Sequence, residues 1–225
     1  MKYTKFRLAA AFFAVSVFSG FAIRAAEHGA ASEGTSPEKA ISALHAGNDR
    51  YAQDHLATKH YPAERHLLVS GQQPYAIVLS CSDSRVAPEI LFDESLGKLF
   101  VVRVAGNVID PVVLGSIEYA AEHLHTHLLI VLGHEGCGAV KATLEGGTPP
   151  PNIAELTKRI APAVEKTKGK GMDAAVAENV RLQMANALSQ SPLLSDLAAK
   201  GEIRIVGGVY RLESGAVQWL GSAPK

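Results

Sequence analysis

The chain has 225 residues, 47% of them hydrophobic and 20% charged, with 22 basic residues set against 22 acidic ones. That apolar share suits one globular domain with a real core. A formal charge of zero excludes the basic excess by which proteins attract nucleic acid or anionic membrane surfaces.

Lys2, Lys5 and Arg7 precede an apolar run, Leu8 to Val17, with Phe18 and Phe21 just beyond. The pattern reads as the basic and apolar regions of a secretory signal peptide over residues 1–26. It falls short of the about 20 apolar residues of a membrane span. Cleavage near Gly20-Phe21-Ala22 or Ala25-Ala26 leaves an exported chain, periplasmic or secreted, with no span in its mature form; an uncleaved anchor is the alternative. Residues 27–35 are a small, polar linker, and residues 36–225 form a single domain.

Ser36-Pro37-Glu38 carries an N-cap, a proline for the first helical position and an acid for the first turn. Ile41, Leu44, Asn48 and Tyr51 then recur at helical spacing, so the pattern predicts a helix to about His55, with a second short one within 57–68. Continuous apolar runs over 75–80, 99–105, 127–132 and 203–206 predict strands, the first of them buried on both faces. Helices are predicted from Val112 to His123, Gly138 to Leu144, 152–166 and 173–189. Tyr210-Arg-Leu, then Glu213-Ser-Gly-Ala, then Val217-Gln-Trp219 reads as a closing hairpin. The alternation implies an α/β fold: a mainly parallel sheet of about four strands plus an antiparallel edge strand, flanked by helices.

Two clusters carry the chemistry. Cys81-Ser-Asp-Ser-Arg85 ends the first predicted strand, and His134-Glu-Gly-Cys137 follows the third. Two thiols and an imidazole are the ligand set of a catalytic zinc site with its fourth position open to water. The carboxyl ends of parallel strands are where such a site assembles. Cys81 and Cys137 are the only 2 cysteines, so a disulfide is the competing reading in an oxidising compartment. A disulfide leaves His134 and the Asp-Ser-Arg tail without a role. Gly133, Gly136 and Gly138 are expected to bend the backbone tightly about the ion, and a helix start beside Cys137 to favour its thiolate. An arginine fork at Arg85 can hold the Asp83 carboxylate off the metal while leaving it able to accept a proton from bound water. An ordinary ion pair capping the turn is the plainer reading. His123, His125 and His127 alternate as a second metal site would, yet they fit a helix end followed by a strand start better.

Cys-x-Asp-Ser-Arg followed by Gly-His-x-x-Cys-Gly resembles the β-class carbonic anhydrases. Ala46-Gly-Asn48, Val102-Arg-Val-Ala-Gly-Asn107, Ser116-Ile-Glu-Tyr119, Glu178-Asn-Val-Arg181 and Gly208-Val-Tyr210 extend the likeness over roughly residues 37–220. The resemblance implies one Zn2+ per chain on Cys81, His134 and Cys137, with Asp83 and Arg85 as the gating dyad and Asp83 a ligand only in a closed state. It implies reversible hydration of carbon dioxide to bicarbonate and a proton. Gln72 matches a donor to bicarbonate, and Phe100, Val104, Tyr119 and Gly138 match the pocket wall. A homodimer or dimer of dimers is implied, with the first helix of each chain laid across its partner. Val78 stands where members with a second, regulatory bicarbonate site carry tryptophan, so the open form is expected although Arg103 is present. His123, four residues after Tyr119, is a candidate proton shuttle. Two rivals remain at this stage: a hydrolase of carbonyl sulfide or carbon disulfide on the same frame, and a non-enzymatic zinc-binding or thiol module.

Overall fold

A computed structural model describes residues 35–223; the signal-peptide expectation and nearly all of the linker lie outside the described residues. Five strands form one sheet in the order β2-β1-β3-β4-β5. They are β1 Ala76–Ser80, β2 Leu99–Arg103, β3 Leu128–His134, β4 Arg204–Tyr210 and β5 Val217–Ser222. The first four run parallel, and β5 pairs antiparallel with β4. Every residue of β1 and β3 is buried, which is why both read as continuous apolar runs. From β1 the chain crosses to β2 on one side and then returns to place β3 on the other. That reversal opens a crevice at the carboxyl ends of β1 and β3.

Side chains alternate across the sheet. Ile77, Leu79, Leu129, Val131 and Ile205 face one core, closed by α4 (Pro111–His123), α5 (Gly138–Glu145), α6 (Pro151–Lys166), α7 (Met172–Gln190) and α8 (Pro192–Ala199). Val78, Leu128, Ile130, Leu132 and Val206 face the other, covered by α1 (Pro37–Ala52) and α3 (Pro88–Leu91). The remaining helix, α2 (Tyr61–Leu67), buries none of its residues.

Asn48 fastens α1 to its own chain. Its Nδ2 donates to the carbonyls of Leu91 at 3.0 Å and Gly215 at 2.9 Å, and its Oδ1 accepts the Val217 amide at 2.7 Å. One face of α1, with Ala40, Leu44, Gly47 and Asn48, is thus buried within its own chain.

The glycines of β3 and β4 have a packing origin. A Cβ on Gly133 would sit 2.6 Å from Val180 Cγ2, and one on Gly207 would sit 2.6 Å from Met184 Sδ. Both strands pass close beneath α7, and only glycine permits the approach. Gly133 therefore lies inside β3 and does not bend the turn as expected from sequence. β4 continues through Gly207, under α7, and Gly208, whose Cβ would lie 2.8 Å from Val217 Cγ1, to Tyr210, past the predicted end at Val206. Two short helices, α3 and α8, were not foreseen, and α1 stops at Ala52, short of His55.

Candidate active site

Cys81 follows β1, His134 is the last residue of β3, and Cys137 is the N-cap of α5. The two crossovers bring them together, with relative exposures of 5%, 0% and 1%. One ligand atom from each residue lies within 4.8 Å of the others, and the two sulfurs are 4.0 Å apart. Two sulfurs bound tetrahedrally at about 2.3 Å from one metal would stand about 3.8 Å from each other, so the spacing fits a shared ion. Neither cysteine is in a disulfide here: the 4.0 Å between the sulfurs is about twice the length of such a bond.

His134 Nδ1–H donates to the Glu135 carbonyl at 2.9 Å. That bond fixes the tautomer and leaves the Nε2 lone pair as a ligand. Nε2 is buried and has no hydrogen-bond partner, a costly state that a cation beside the two sulfurs would relieve. The residues present fit a metal.

The pair of thiols shares one negative charge. The hydrogen bond from Cys137 does most to hold Cys81 below the ordinary thiol range, aided by His134 and the Gly106 amide. The same bond and burial push Cys137 up, against the pull of the Ala139 and Val140 amides at the start of α5. Two anions 4.0 Å apart repel, so without a cation the pair carries one negative charge between them, whatever the pull of the helix start on Cys137. Burial disfavours a proton on His134, but the Cys81 sulfur outweighs it and the net displacement is upward. A cation replaces these protons and lets both sulfurs ionise.

Asp83 stands beside the trio and outside it. Its Oδ1 accepts from the Arg85 amide at 3.0 Å and from Arg85 Nε at 2.9 Å, and its Oδ2 accepts from Arg85 Nη2 at 2.8 Å. The Arg85 hydrogen bonds hold the Asp83 carboxyl far below the usual carboxylate range, so it is ionised. Asp83 Oδ2 is 3.8 Å from His134 Nε2, next to the space the ion would fill. Arg103 adds a clasp that sequence reading missed: Nε donates to the Cys81 carbonyl at 3.2 Å and Nη2 to the Asp83 carbonyl at 2.7 Å. The Gly106 amide, 3.3 Å from Cys81 Sγ, was missed as well. Its available signal was the Ala-Gly-Asn turn directly after a strand.

The other sequence-derived residues divide into two places. Val104, whose amide donates to the Ser80 carbonyl at 3.1 Å, lies at the same end of the sheet as Cys81, and Gly138 opens α5 beside Cys137. Gln72 precedes β1 and sits at the other end, separated from Cys81 by the strand's length of about 16 Å. The rings of Phe100 and Tyr119 meet at a tilt with centroids 6.2 Å apart, and those of Tyr119 and His123 likewise at 5.1 Å. This row descends toward the same far end, where Thr126 Oγ1 ties the exit of α4 to the Pro74 carbonyl at 3.0 Å. His127 Nδ1 is bonded to the Glu202 carbonyl at 2.7 Å, and His123, His125 and His127 do not converge. Among the described residues, Cys81, His134 and Cys137 are the one group placed to hold a metal.

A family described as carbonic anhydrase matches residues 76–217. Carbonic anhydrase 2 of Mycobacterium tuberculosis is 40% identical over 192 residues, covering 80% of this chain and 91% of that protein. The carbonic anhydrase of Mycolicibacterium smegmatis is 41% identical over 192 residues, with 82% and 93% covered. Among solved structures, a Coccomyxa β-carbonic anhydrase in complex with acetazolamide aligns with a TM-score of 0.64 at 28% identity, over 80% of this chain and 86% of that one. The β-carbonic anhydrase CcaA aligns with a TM-score of 0.63 at 27% identity, over 84% and 92%.

Proposed function

Since the chain belongs to the β-class carbonic anhydrases, we propose that Cys81, His134 and Cys137 hold one zinc ion and that the enzyme interconverts carbon dioxide and water with bicarbonate and a proton. Two thiolates and one imidazole suit zinc among the common divalent metals. Bound there, zinc supplies the Lewis acidity that makes water nucleophilic near neutral pH.

The chain's own residues do the rest. Asp83 is ionised and accepts a hydrogen bond from the incoming water, so the water's remaining lone pair is directed at carbon. Arg85 keeps both Asp83 oxygens engaged and off the metal position. Arg103 holds the backbone of that loop from β2. Val104 contributes an apolar wall, which suits an uncharged gas. The observation that carries this reading is the forked Arg85–Asp83 pair lying outside the trio, which keeps one position for water.

Zinc content measured together with stopped-flow hydration of carbon dioxide tests the proposal. One zinc per chain and rapid hydration are expected. Folded protein without zinc, or with zinc and faster turnover of carbonyl sulfide or carbon disulfide than of carbon dioxide, contradicts it.

Gln72, Phe100 and Tyr119 complete the site of a second copy in this reading, within a homodimer or dimer of dimers. Their position at the far end of the sheet and the half-exposed ring of Tyr119 support that arrangement. Export to the periplasm or beyond rests on the basic and apolar pattern of residues 1–26. Among the described residues no helix is long and apolar enough to cross a membrane. Sequencing the amino terminus of the mature protein tests the export reading: a terminus near residue 27 is expected, and retention of Met1 contradicts it.

A further inference from the structure

Asn179 and Gln183 lie one turn apart on α7, are 1% and 0% exposed, and take no part in the chemistry described so far. A buried carboxamide is costly unless its polar atoms are bonded, so the partners of these two show what they hold in place. Asn179 Nδ2 donates to the Gly106 carbonyl at 2.9 Å. Gln183 Nε2 donates to Asn179 Oδ1 at 3.0 Å and to the Arg159 carbonyl at 3.3 Å, while Gln183 Oε1 accepts the Ile109 amide at 2.9 Å and Asn186 Nδ2 at 3.2 Å. Both amides thus fasten the loop after β2, at Gly106 and at Ile109.

Gly106 is the residue whose amide reaches Cys81 Sγ at 3.3 Å. Its φ is +72°, and a Cβ would lie 2.7 Å from Ile160 Cδ1 and 3.1 Å from Ala139 Cβ, so only glycine fits. Glycine has the freest backbone of any residue. The direction of its N–H must therefore be set from both sides: Asn179 pins the Gly106 carbonyl, while the Val104 amide bonded to the Ser80 carbonyl at 3.1 Å holds the chain that leads into it.

We propose that Asn179, oriented by Gln183, is a positioning residue that aims the Gly106 N–H at the Cys81 sulfur. The hydrogen bond draws electron density from that sulfur, which weakens it as a donor and leaves a bound metal more electrophilic. This rests on Cys81 being a metal ligand.

Three variants test it: Asn179→Leu; Asn179→Ala, which removes the donor to Gly106 together with the acceptor toward Gln183; and Thr167→Val as a control. Thr167 is buried and bonds the Ala163 carbonyl at 2.8 Å in α6, with no link to the loop. Hydrogen exchange at the Gly106 amide is measured in metal-free and zinc-loaded protein, and sulfur-to-metal charge-transfer absorption in cobalt(II)-substituted protein. In the Asn179 variants, exchange at Gly106 is expected to be about tenfold faster or more, reflecting a loosened loop, and the absorption to move to longer wavelength. Thr167→Val is expected to lower the melting temperature and change neither signal. Parental exchange and absorption in a folded Asn179 variant overturn the proposal, as does an equal change in Thr167→Val. Wild-type exchange at Gly106 as fast as in an open loop overturns it without any variant. If the wild type binds no cobalt, the metal reading fails, while exchange in the metal-free protein still judges Asn179.

Discussion

At the carboxyl end of the sheet, Cys81, His134 and Cys137 converge within one chain, almost fully buried, with Asp83 and Arg85 paired beside them. Toward the amino end lie Gln72 and, separately, the Phe100–Tyr119–His123 row, around no ligand set, and the rings of Tyr119 and His123 stand open. One end holds a finished metal cradle, and the other offers walls and donors with nothing of their own to enclose. In the proposed reading, a single chain carries the parts of the reaction in two places and a second copy joins them.

The harshest way to break this picture is at the cradle. Cys137→Ser or His134→Ala should remove zinc and lower hydration by at least about 10³-fold, because metal activation of water is worth several kcal/mol. Metal analysis beside stopped-flow assay checks it; normal turnover in a zinc-free variant would refute the site. Asp83→Asn should keep zinc and lose about 10²-fold in turnover, the usual scale for a group that handles a proton. Since Arg85 holds the Asp83 carboxyl well below its usual range, it stays ionised at any pH above about 4, and the acid limb of activity must come from another group.

The amino end is tested by mixing. Gln72→Ala should cost about a hundredfold, as loss of a positioned donor does. Co-assembly of equal amounts of Gln72→Ala and Cys137→Ser chains should recover about a quarter of the parental rate, because half of the two-fold dimers are mixed and each of these has one intact site. No recovery places Gln72 with its own chain's cradle or with none.

Asp93 separates scaffold from chemistry. Its buried carboxylate pairs with Lys59 at 2.8 Å and with Arg50 at 2.5 Å, tying α1 and the segment before α2 to the end of α3. The side chains of Arg50 and Lys59 are 39% and 18% exposed, so solvent screening trims the usual cost of breaking such a pair to about 2 kcal/mol for Asp93→Asn. Burial opposes the shift, but the Lys59 and Arg50 hydrogen bonds prevail and the Asp93 carboxyl lies below its ordinary value. Its stabilisation is therefore complete above about pH 4 and fades as pH falls below that. Acid melts of Asp93→Asn should lack this part of the slope while zinc content stays unchanged. The smallest effect belongs to His123→Ala, about threefold slower hydration in dilute buffer and none in concentrated buffer if its imidazole passes protons.

What sequence disclosed followed physical scale. The central strands were legible because burial on both faces forces unbroken apolar runs, and so the ends that carry Cys81 and His134 were legible too. The end of β4 was not, since Gly207-Gly208 reads as a break until Val180 and Met184 of α7 are seen to crowd Gly207, and Val217 of β5 to crowd Gly208. The helix α3, with 4 residues, is too short for any periodicity, whereas Ser191-Pro192 repeats the start signal of α1 and was readable. Motif matching assigned Gln72 and Tyr119 to a pocket, but a linear pattern does not say whose pocket. Backbone direction lies below the reach of side-chain patterns, so the Gly106 amide and the Arg103 clasp emerged only in three dimensions.

The most direct test is anomalous diffraction at the zinc edge from crystals of the purified enzyme near pH 8. The account predicts one peak bonded to Cys81 Sγ, His134 Nε2 and Cys137 Sγ, with Asp83 forked on Arg85. A peak with Asp83 as its fourth ligand, or no peak and a bond joining the two sulfurs, would contradict it.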